Sequence, residues 1–415
     1  MQVEIITIGD ELLIGQVVDT NSAWIGQQLN RAGFSVNRIT SVSDQHDEIR
    51  NALNEATQRV PLVLITGGLG PTRDDITKNT LCEFFNTQLV FNPEVFSDIE
   101  AFLKGRVANI NQLNRDQALV PENCTVIRNP VGTAPIMWFN YKDGVVVSMP
   151  GVPYEMKRAM EAEIIPRLKQ QFTTGIILHK TIHILNIPEA VLADRLSSWE
   201  DQLPAFLKVA YLPSAGKIRL RLTGKGPERE PVEKAINEAV AALYPIIGES
   251  IYGFDDELPA VALMKFLLKR NQTVSFAESC SGGYLSHLMT AIPGASDIFK
   301  GSAVAYANEI KIRLLGVSKS NIEDYGAVSQ QVVEEMALGA CRLFDTDYAI
   351  ATSGIAGPTG GSDEKPVGTV WVAWAGNGKV LSRKYLFGNS RERTIIRSAE
   401  TGLIELKLLI ERGEL

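Results

Sequence analysis

The sequence predicts an α/β fold divided into several domains, and three observations carry that prediction. Apolar runs of strand length alternate with amphipathic stretches of helical spacing, those runs stop at glycine-rich or acidic turns, and the texture changes near residues 172 and 255. Val3–Ile8 is the first strand and ends at Gly9-Asp10-Glu11. Asn21-Ser22 then suits the cap of a helix whose Ile25 and Leu29 share a face, with Gly33 closing it. Leu62–Ile65 is a second strand, running into Thr66-Gly67-Gly68. Val145–Ser148 is a third, followed by Met149-Pro150-Gly151 and a helix over Tyr154–Ile165. Strands that alternate with helices require a parallel or mixed sheet covered on both faces, and such sheets collect ligands at the carboxyl ends of their strands.

Between residues 172 and 252 the pattern is that of a small α+β domain. Lys217–Leu222 alternates Lys217, Arg219 and Arg221 with Ile218, Leu220 and Leu222, as a strand with one wet face does, and Pro231–Tyr244 is amphipathic at helical spacing. The basic face reads either as solvated or as nucleotide-facing. The last segment opens with a helix over Leu258–Leu268 and a strand at Val274–Phe276 that enters Ala277-Glu278-Ser279-Cys280-Ser281-Gly282-Gly283 and a helix through Leu288. Tyr348–Thr352 is a strand leading into a Gly/Pro loop from Ser353 to Gly368, and Thr369–Trp374 is another strand.

Composition narrows the function classes. A chain of 415 residues with 45% hydrophobic and 21% charged side chains is an ordinary globular chain of two or three domains, not a disordered, collagenous or coiled-coil one. A net charge of −7 argues against nucleic acid as the main partner. There is no apolar run of membrane-spanning length, and Met1-Gln2-Val3-Glu4 lacks the features of a signal peptide. Cys82, Cys124, Cys280 and Cys341 are scattered without a C-x-x-C pair, so a reduced, cytoplasmic chain is expected, with neither disulfides nor zinc. Four histidines leave little room for histidine-centred catalysis.

The first chemical constellation joins Gly9-Asp10-Glu11 to Thr66-Gly67-Gly68-Leu69-Gly70-Pro71-Thr72-Arg73-Asp74-Asp75. Gly67, Gly68 and Gly70 let the backbone turn tightly and aim amides at an anion, Arg73 can clamp a phosphate, and Asp10, Glu11, Asp74 and Asp75 offer hard oxygens to a divalent cation. These are the parts of a metal-assisted phosphate or pyrophosphate site, and equally of a glycine-rich turn with capping acids. Together with Met149-Pro150-Gly151-Val152-Pro153, Asn114-Arg115-Asp116-Gln117-Ala118 and Asn129-Pro130-Val131-Gly132-Thr133-Ala134-Pro135, they resemble the molybdopterin-binding-type domain of the CinA family, named for competence and damage inducibility. The resemblance implies a three-layer α/β/α domain over 1–170 and a small KH-like domain over 171–254. It further implies a metal-dependent ADP-ribose pyrophosphatase that releases AMP and ribose 5-phosphate, with Mg2+ or a similar cation on the four acids.

The second constellation is Glu278-Ser279-Cys280-Ser281-Gly282-Gly283, Gly294-Ala295-Ser296, Tyr306-Ala307-Asn308-Glu309-Ile310-Lys311 and Ser353-Gly354-Ile355-Ala356-Gly357-Pro358. Ser279 sits where a strand passes into a helix, whose free N–H groups suit an oxyanion; it also suits a plain helix N-cap. A serine nucleophile needs a base. His287 falls inside the following helix, so Lys311 is the better candidate, provided burial lowers its pKa; otherwise it is a surface lysine. The segment 255–415 resembles bacterial nicotinamide mononucleotide (NMN) deamidases almost end to end, including Glu364-Lys365-Pro366-Val367-Gly368-Thr369-Val370-Trp371. That resemblance implies an α/β amidohydrolase domain with no cofactor, using a Ser/Lys pair to form nicotinate mononucleotide and ammonia. Ser279, Ser296, Tyr306, Lys311, Ser353 and Arg391 fall on its motif positions, with Ser279 the first choice of nucleophile and Ser296 the second. Arg391 is a reasonable clamp for the substrate phosphate, beside Gly354 and Gly357 of the loop. The expected partners are these small nucleotides, a homodimer is the expected assembly, and neither membrane nor nucleic acid is expected to bind. The rival expectation is a pterin- or nucleotide-binding partner protein in DNA uptake or repair, without catalysis.

Overall fold

The computed structural model describes residues 1–106, 109–185, 187–214 and 217–415. The chain forms two compact units, Met1–Leu178 with Gly224–Lys234, and His179–Thr223 with Ala235–Leu415. The fold is α/β, as the alternation of elements predicts.

In the first unit, β1 (Gln2–Ile8), β2 (Ser35–Val42) and β3 (Leu62–Thr66) precede a short ribbon of β4 (Leu89–Phe91) and β5 (Leu119–Pro121). Then come β6 (Thr125–Ile127), β7 (Ile136–Tyr141) and β8 (Gly144–Met149). The main sheet has the order β2-β1-β3-β8-β7-β6, parallel through its first four strands and antiparallel at the β8-β7-β6 end. Successive residues of one strand face opposite cores: Leu62 and Leu64 pack with Ile25, Leu29 and Met156, while Val63 and Ile65 pack with Ile49, Leu53 and Leu81. A central strand buried on both faces reads as a continuous apolar run, and β3 is buried throughout.

Two local expectations need correction. The first long helix, Thr20–Arg31, is capped by Asp19, whose carboxylate accepts from the Ser22 amide; Asn21 and Ser22 lie inside it. The stretch over Tyr154–Ile165 is not one regular helix but Pro153–Ala159, a wider turn at Met160–Ile164, and Ile165–Gln171. Pro166 has no N–H for the carbonyl four residues back, so the helix passes it through one looser turn.

β9 (Ile176–Leu185), β10 (Leu207–Ser214), β11 (Lys217–Gly226) and β12 (Ile251–Phe254) form a sheet of order β10-β11-β9-β12. Ile218, Leu220 and Leu222 are its buried side, as the alternation predicts, and Lys217 on the wet side pairs with Glu400 at 2.5 Å. The helix behind it runs Arg229–Ile247, longer at both ends than the apolar spacing alone indicates.

The last sheet uses β13 (Val274–Glu278), β14 (Phe299–Val304), β15 (Tyr348–Gly354), β16 (Thr369–Gly376) and β17 (Lys379–Leu386) in the order β14-β13-β15-β16-β17. Its first three strands are parallel and the last two antiparallel. One face is bulky, with Phe276, Tyr348, Ile350 and Trp374 against the long helix Arg391–Glu411. The other is paved with Ala277, Ala349, Ala351, Ala373 and Ala375, and these small side chains let the helix Gln330–Phe344 lie close on the sheet. Among the described residues no helix is long and apolar enough to cross a membrane.

Candidate functional sites

The first site is a cleft of about 520 Å³ at the carboxyl ends of β1, β3 and β8, lined among others by Gly9, Glu11, Asp44, Gly67–Gly70, Asp74, Asp75 and Glu155. Its floor depends on glycine. A Cβ on Gly67 would stand 2.2 Å from the Ile8 carbonyl oxygen, and Gly67 and Gly68 both adopt positive φ, 115° and 64°. Asp75 shapes the rest of the loop: its carboxylate accepts from the Gly70 amide at 2.7 Å, the Thr72 amide at 2.9 Å and the Thr72 hydroxyl. Asp75 therefore acts on the loop itself, whereas Asp10, Glu11, Arg73 and Asp74 are exposed. The Thr72 hydroxyl holds the Asp74 carboxyl below the usual carboxylate range.

Sequence reasoning missed Asp44. It follows β2, accepts from the Asp10 amide at 3.0 Å, and its carboxyl is pushed up by burial and then by the charges of Asp10, Glu11 and Asp74. Four acids thus share one electrostatic neighbourhood. Their oxygens suit a hard cation, yet among the described residues no three Asp, Glu, His or Cys side chains stand as a preformed metal site. Such a set fits a cation that completes its coordination with phosphate oxygens. The Asn129–Pro135 motif forms the opposite wall, with Asn129 Nδ2 donating to the Ala134 carbonyl at 2.9 Å and to buried Glu155 at 2.5 Å. Burial pushes the Glu155 carboxyl up. A Cβ on Gly132 would strike that same carboxylate and push it off its place beside Asn129.

The second site lies at the carboxyl ends of β13, β14 and β15. Lys311, on the helix Asn308–Leu315, is 1% exposed, and its Nζ lies 3.1 Å from Ser279 Oγ, 2.7 Å from the Ala305 carbonyl and 3.2 Å from the Tyr306 carbonyl. Burial lowers its pKa, against smaller opposing contributions from Cys280 and Glu309. A neutral amine here would give its two N–H groups to the two carbonyls and keep its lone pair for the Ser279 hydroxyl. The structure thus brings together Ser279 and Lys311. Ser296 is exposed in the turn Ala295–Asp297, and His287 is exposed on its helix. Ser353 is buried and donates to the Ala327 carbonyl at 2.6 Å, which engages its hydroxyl away from the pair. Cys280 is a buried thiol pushed up to about 12, a poor nucleophile.

Tyr306 links the pair to Arg391, whose guanidinium donates to the Tyr306 hydroxyl at 3.1 Å and to the Gly357 carbonyl at 2.8 Å. Gly357 holds φ at 85°, and a Cβ there would meet Val367 at 2.4 Å; a Cβ on Gly354 would meet the Thr369 carbonyl at 2.7 Å.

The expected oxyanion donors need correction. Glu278, fully buried before Ser279, accepts from the amides of Gly283 at 3.0 Å, Leu285 at 3.0 Å and Ser286 at 2.9 Å, and from the hydroxyls of Ser281 and Ser286. It occupies the start of the helix Tyr284–Thr290, so those N–H groups already hold a carboxylate. The Ser279 amide is given to the Thr352 carbonyl and the Gly282 amide to the Ser279 carbonyl, and among the described residues the Cys280 and Ser281 amides have no backbone acceptor. An acid directly before a Ser-x-x-Gly-Gly turn into a helix was the signal available in the sequence.

Three family models match the chain: the probable molybdopterin binding domain over residues 4–170, the damage-inducible protein CinA KH domain over 179–253 and the CinA C-terminal domain over 257–410. A CinA-like protein of Cytophaga hutchinsonii is 46% identical over 398 residues, 95% of each chain. One from Flavobacterium psychrophilum is 44% identical over 405 residues, 97% of each. Among solved structures, competence/damage inducible protein CihA of Agrobacterium tumefaciens is 36% identical, with a TM-score of 0.36, covering 37% of this chain and 93% of that one. The protein CinA of Thermoplasma acidophilum is 33% identical, with a TM-score of 0.37, covering 41% and 96%.

Proposed function

The chain belongs to the CinA family, and on that premise we propose a two-site hydrolase that deamidates nicotinamide mononucleotide at the Ser279–Lys311 site and cleaves ADP-ribose in the Asp10–Asp75 cleft. The observation that carries the first activity is a buried lysine 3.1 Å from a serine hydroxyl at a strand-to-helix turn. Neutral Lys311 takes the Ser279 proton as Oγ attacks the carboxamide carbon. The amides of Cys280 and Ser281 face the developing oxyanion, the proton passes to the departing ammonia, and water then releases nicotinate mononucleotide from the ester. Arg391 holds the 5′-phosphate.

The second activity rests on the exposed acids of the cleft and on the Gly68 and Leu69 amides of its turn, since the Gly67 amide is given to the Met149 carbonyl at 3.2 Å and the Gly70 amide to Asp75 at 2.7 Å, against the expectation that these two face an anion. The Gly67–Gly70 turn and Arg73 receive the pyrophosphate. Asp10, Glu11 and Asp74 would hold a divalent cation, which when bound offsets the pyrophosphate charge. Asp75 keeps the loop in shape.

One pair of assays tests both. The full chain releases ammonia from nicotinamide mononucleotide at the same rate with and without chelator, and chelation stops ADP-ribose hydrolysis. Asp74→Asn lowers ADP-ribose hydrolysis at least roughly tenfold and spares deamidation. Ammonia release abolished by chelation overturns the Ser/Lys reading. Catalysis absent at both sites leaves the binding-protein alternative.

A further inference from the structure

Hydrolysis of a pyrophosphate needs a water that loses its proton as it attacks phosphorus. Most carboxylates of the Asp10–Asp75 cleft are engaged otherwise. Asp10, Glu11 and Asp74 are the exposed acids that suit a cation, and Asp75 accepts from the Gly70 and Thr72 amides and the Thr72 hydroxyl. Asp44 accepts from the Asp10 amide, and its carboxyl is pushed up by burial and then by the charges of Asp10, Glu11 and Asp74. A cation among those acids would offset their share of that shift, so Asp44 loses basicity once the site is loaded.

Glu155 differs from all of these. It lines the cleft from the helix Pro153–Ala159 and is 7% exposed. Asn129 Nδ2, aligned by its bond to the Ala134 carbonyl at 2.9 Å, anchors Glu155 Oε2 at 2.5 Å. A carboxylate has about four lone-pair positions, so one so anchored still accepts from a water. Burial pushes the Glu155 carboxyl up, against the Asn129 amide and the Tyr154 hydroxyl, which favour its charged form. The other titratable groups lining the cleft are Glu11, Asp44, Asp74 and Asp75, all acids. Of the cations nearest in sequence, Arg128 is paired with Asp98, Lys157 lies over the Trp24 ring and Arg158 is exposed.

We propose that Glu155 is the general base of the cleft and takes a proton from the water that attacks a bound pyrophosphate, from the wall opposite the glycine turn. As the water oxygen bonds to phosphorus, the bridging P–O bond breaks and its electron pair leaves with the other phosphate. The proton moves to the Glu155 carboxylate and from there to solvent. A base on one wall and cation-seeking acids on the other suit attacking and leaving oxygens that stand roughly in line. A carboxylate held above its ordinary range is also the stronger base. This rests on reading the cleft as a pyrophosphatase site.

The test is Glu155→Gln in the full chain with Mg2+ present, read by ADP-ribose hydrolysis across pH and by calorimetric binding of AMP. Gln keeps an oxygen for the Asn129 N–H, so a side chain that only props the wall is replaced without loss. A base is expected to cost at least roughly a hundredfold in kcat, with AMP affinity within about twofold of wild type. The base acts when deprotonated, so wild-type kcat should rise with pH along a limb above the ordinary glutamate range, and Glu155→Gln should lack that limb. Asn129→Ala decides independently if Glu155→Gln misfolds: it removes a donor that favours the charged form, so the limb should move to higher pH. Hydrolysis by Glu155→Gln within about threefold of wild type, or a limb unmoved in Asn129→Ala, overturns the inference alone. AMP binding without any hydrolysis by wild type overturns the pyrophosphatase reading and the inference with it.

Discussion

The two compact units seat their candidate chemistry at equivalent points of their own sheets. In each, the first strand of a β-α-β-α-β run lies between the second and the third, as the orders β2-β1-β3 and β14-β13-β15 show. The crevice opens where consecutive connections leave in opposite directions, between β1 and β3 and between β13 and β15. Gly67 there approaches the Ile8 carbonyl, and the Ser279 amide bonds the Thr352 carbonyl at 3.0 Å. The chemistry placed in the crevice differs. In the first unit acids stand exposed around a glycine turn, and charge has to arrive with the ligand. In the second two titratable groups are buried, Glu278 at the end of β13 and Lys311 against the serine, while Arg391 stays exposed. Topology chooses the location, and the turn's side chains choose the reaction.

The largest effect expected is at Lys311. Lys311→Ala should lower deamidation by roughly a hundredfold or more, the scale of a lost general base, with ADP-ribose hydrolysis unchanged. Because burial holds the Lys311 pKa below the ordinary lysine value, the neutral, active form gains population at lower pH than a surface lysine would. Its kcat/KM should rise with pH along a limb set by that lowered pKa, and Lys311→Arg should remove the limb. Ser296→Ala should stay active; if it is inert and Ser279→Ala is not, the nucleophile is misassigned.

The first unit buries a lysine too, and the contrast is instructive. Lys78 is 8% exposed and donates to the Gln117 carbonyl at 2.8 Å, and the thiol within its field, Cys124, is itself pushed up to about 12 by burial. Burial pushes Lys78 down to about 8 from 10.5, with Asp75 and Asp116 opposing. The unfolded chain therefore binds more protons between pH 8 and 10.5, and folding stability from this group rises with pH across that window. The full rise is about 3 kcal/mol at 1.4 kcal/mol per pH unit. Lys78→Met should lack it, read as hydrogen-exchange protection of the helix Thr77–Phe84 at pH 7 and pH 10. Parallel profiles for the two proteins would show that Lys78 keeps its charge.

A smaller loss is expected at Glu278. Glu278→Gln keeps the shape but turns an acceptor into a donor facing the amides of Gly283, Leu285 and Ser286. It should destabilise the second unit by about 2 kcal/mol and lower kcat without removing the pH limb of Lys311. A variant as stable as wild type would show that the helix start does not depend on this carboxylate.

Much of this was legible in the sequence because it is local. Apolar runs ending in Gly67-Gly68 or in Ser279 mark strand ends, and the periodicity of β11 gives its buried side. The pairing of Ser279 with Lys311 was a guess from residue chemistry until the helix Asn308–Leu315 folded the lysine back over the turn. Asp44 was not read at all and Glu278 was named in the turn without a role, because their roles are set by neighbours that spacing does not reveal: Asp10 lies 34 positions from Asp44. The helix-terminus argument failed for a related reason. It counted free amides without asking which nearby acid would take them. Asp19, one position ahead of its helix, took the cap expected of Asn21-Ser22, and the Asn21 amide instead donates to the Gly151 carbonyl at 2.7 Å.

The smallest effect expected is at Arg391, and it bears on how the two crevices hold phosphate. The first offers the Gly68 and Leu69 amides of a glycine turn, fixed in direction and without net charge, beside the exposed guanidinium of Arg73. The second offers a guanidinium held by two neutral acceptors, the Gly357 carbonyl and the Tyr306 hydroxyl, and among the described residues no carboxylate pairs with it. A cation so oriented is completed by an anion, and a guanidinium meets phosphate oxygens in pairs. Since that contact exists before and during the reaction, Arg391→Ala should raise KM for nicotinamide mononucleotide by about tenfold and leave kcat nearly unchanged. Arg391→Lys should recover little, because an ammonium cannot span Gly357, Tyr306 and phosphate together. Nicotinamide riboside, which lacks the phosphate, separates this from a general disturbance of the loop: wild type should prefer the phosphorylated substrate, and Arg391→Ala should lose that preference. If the variant instead loses kcat for both substrates alike, Arg391 acts through Tyr306 on the Lys311 site, and phosphate is held elsewhere.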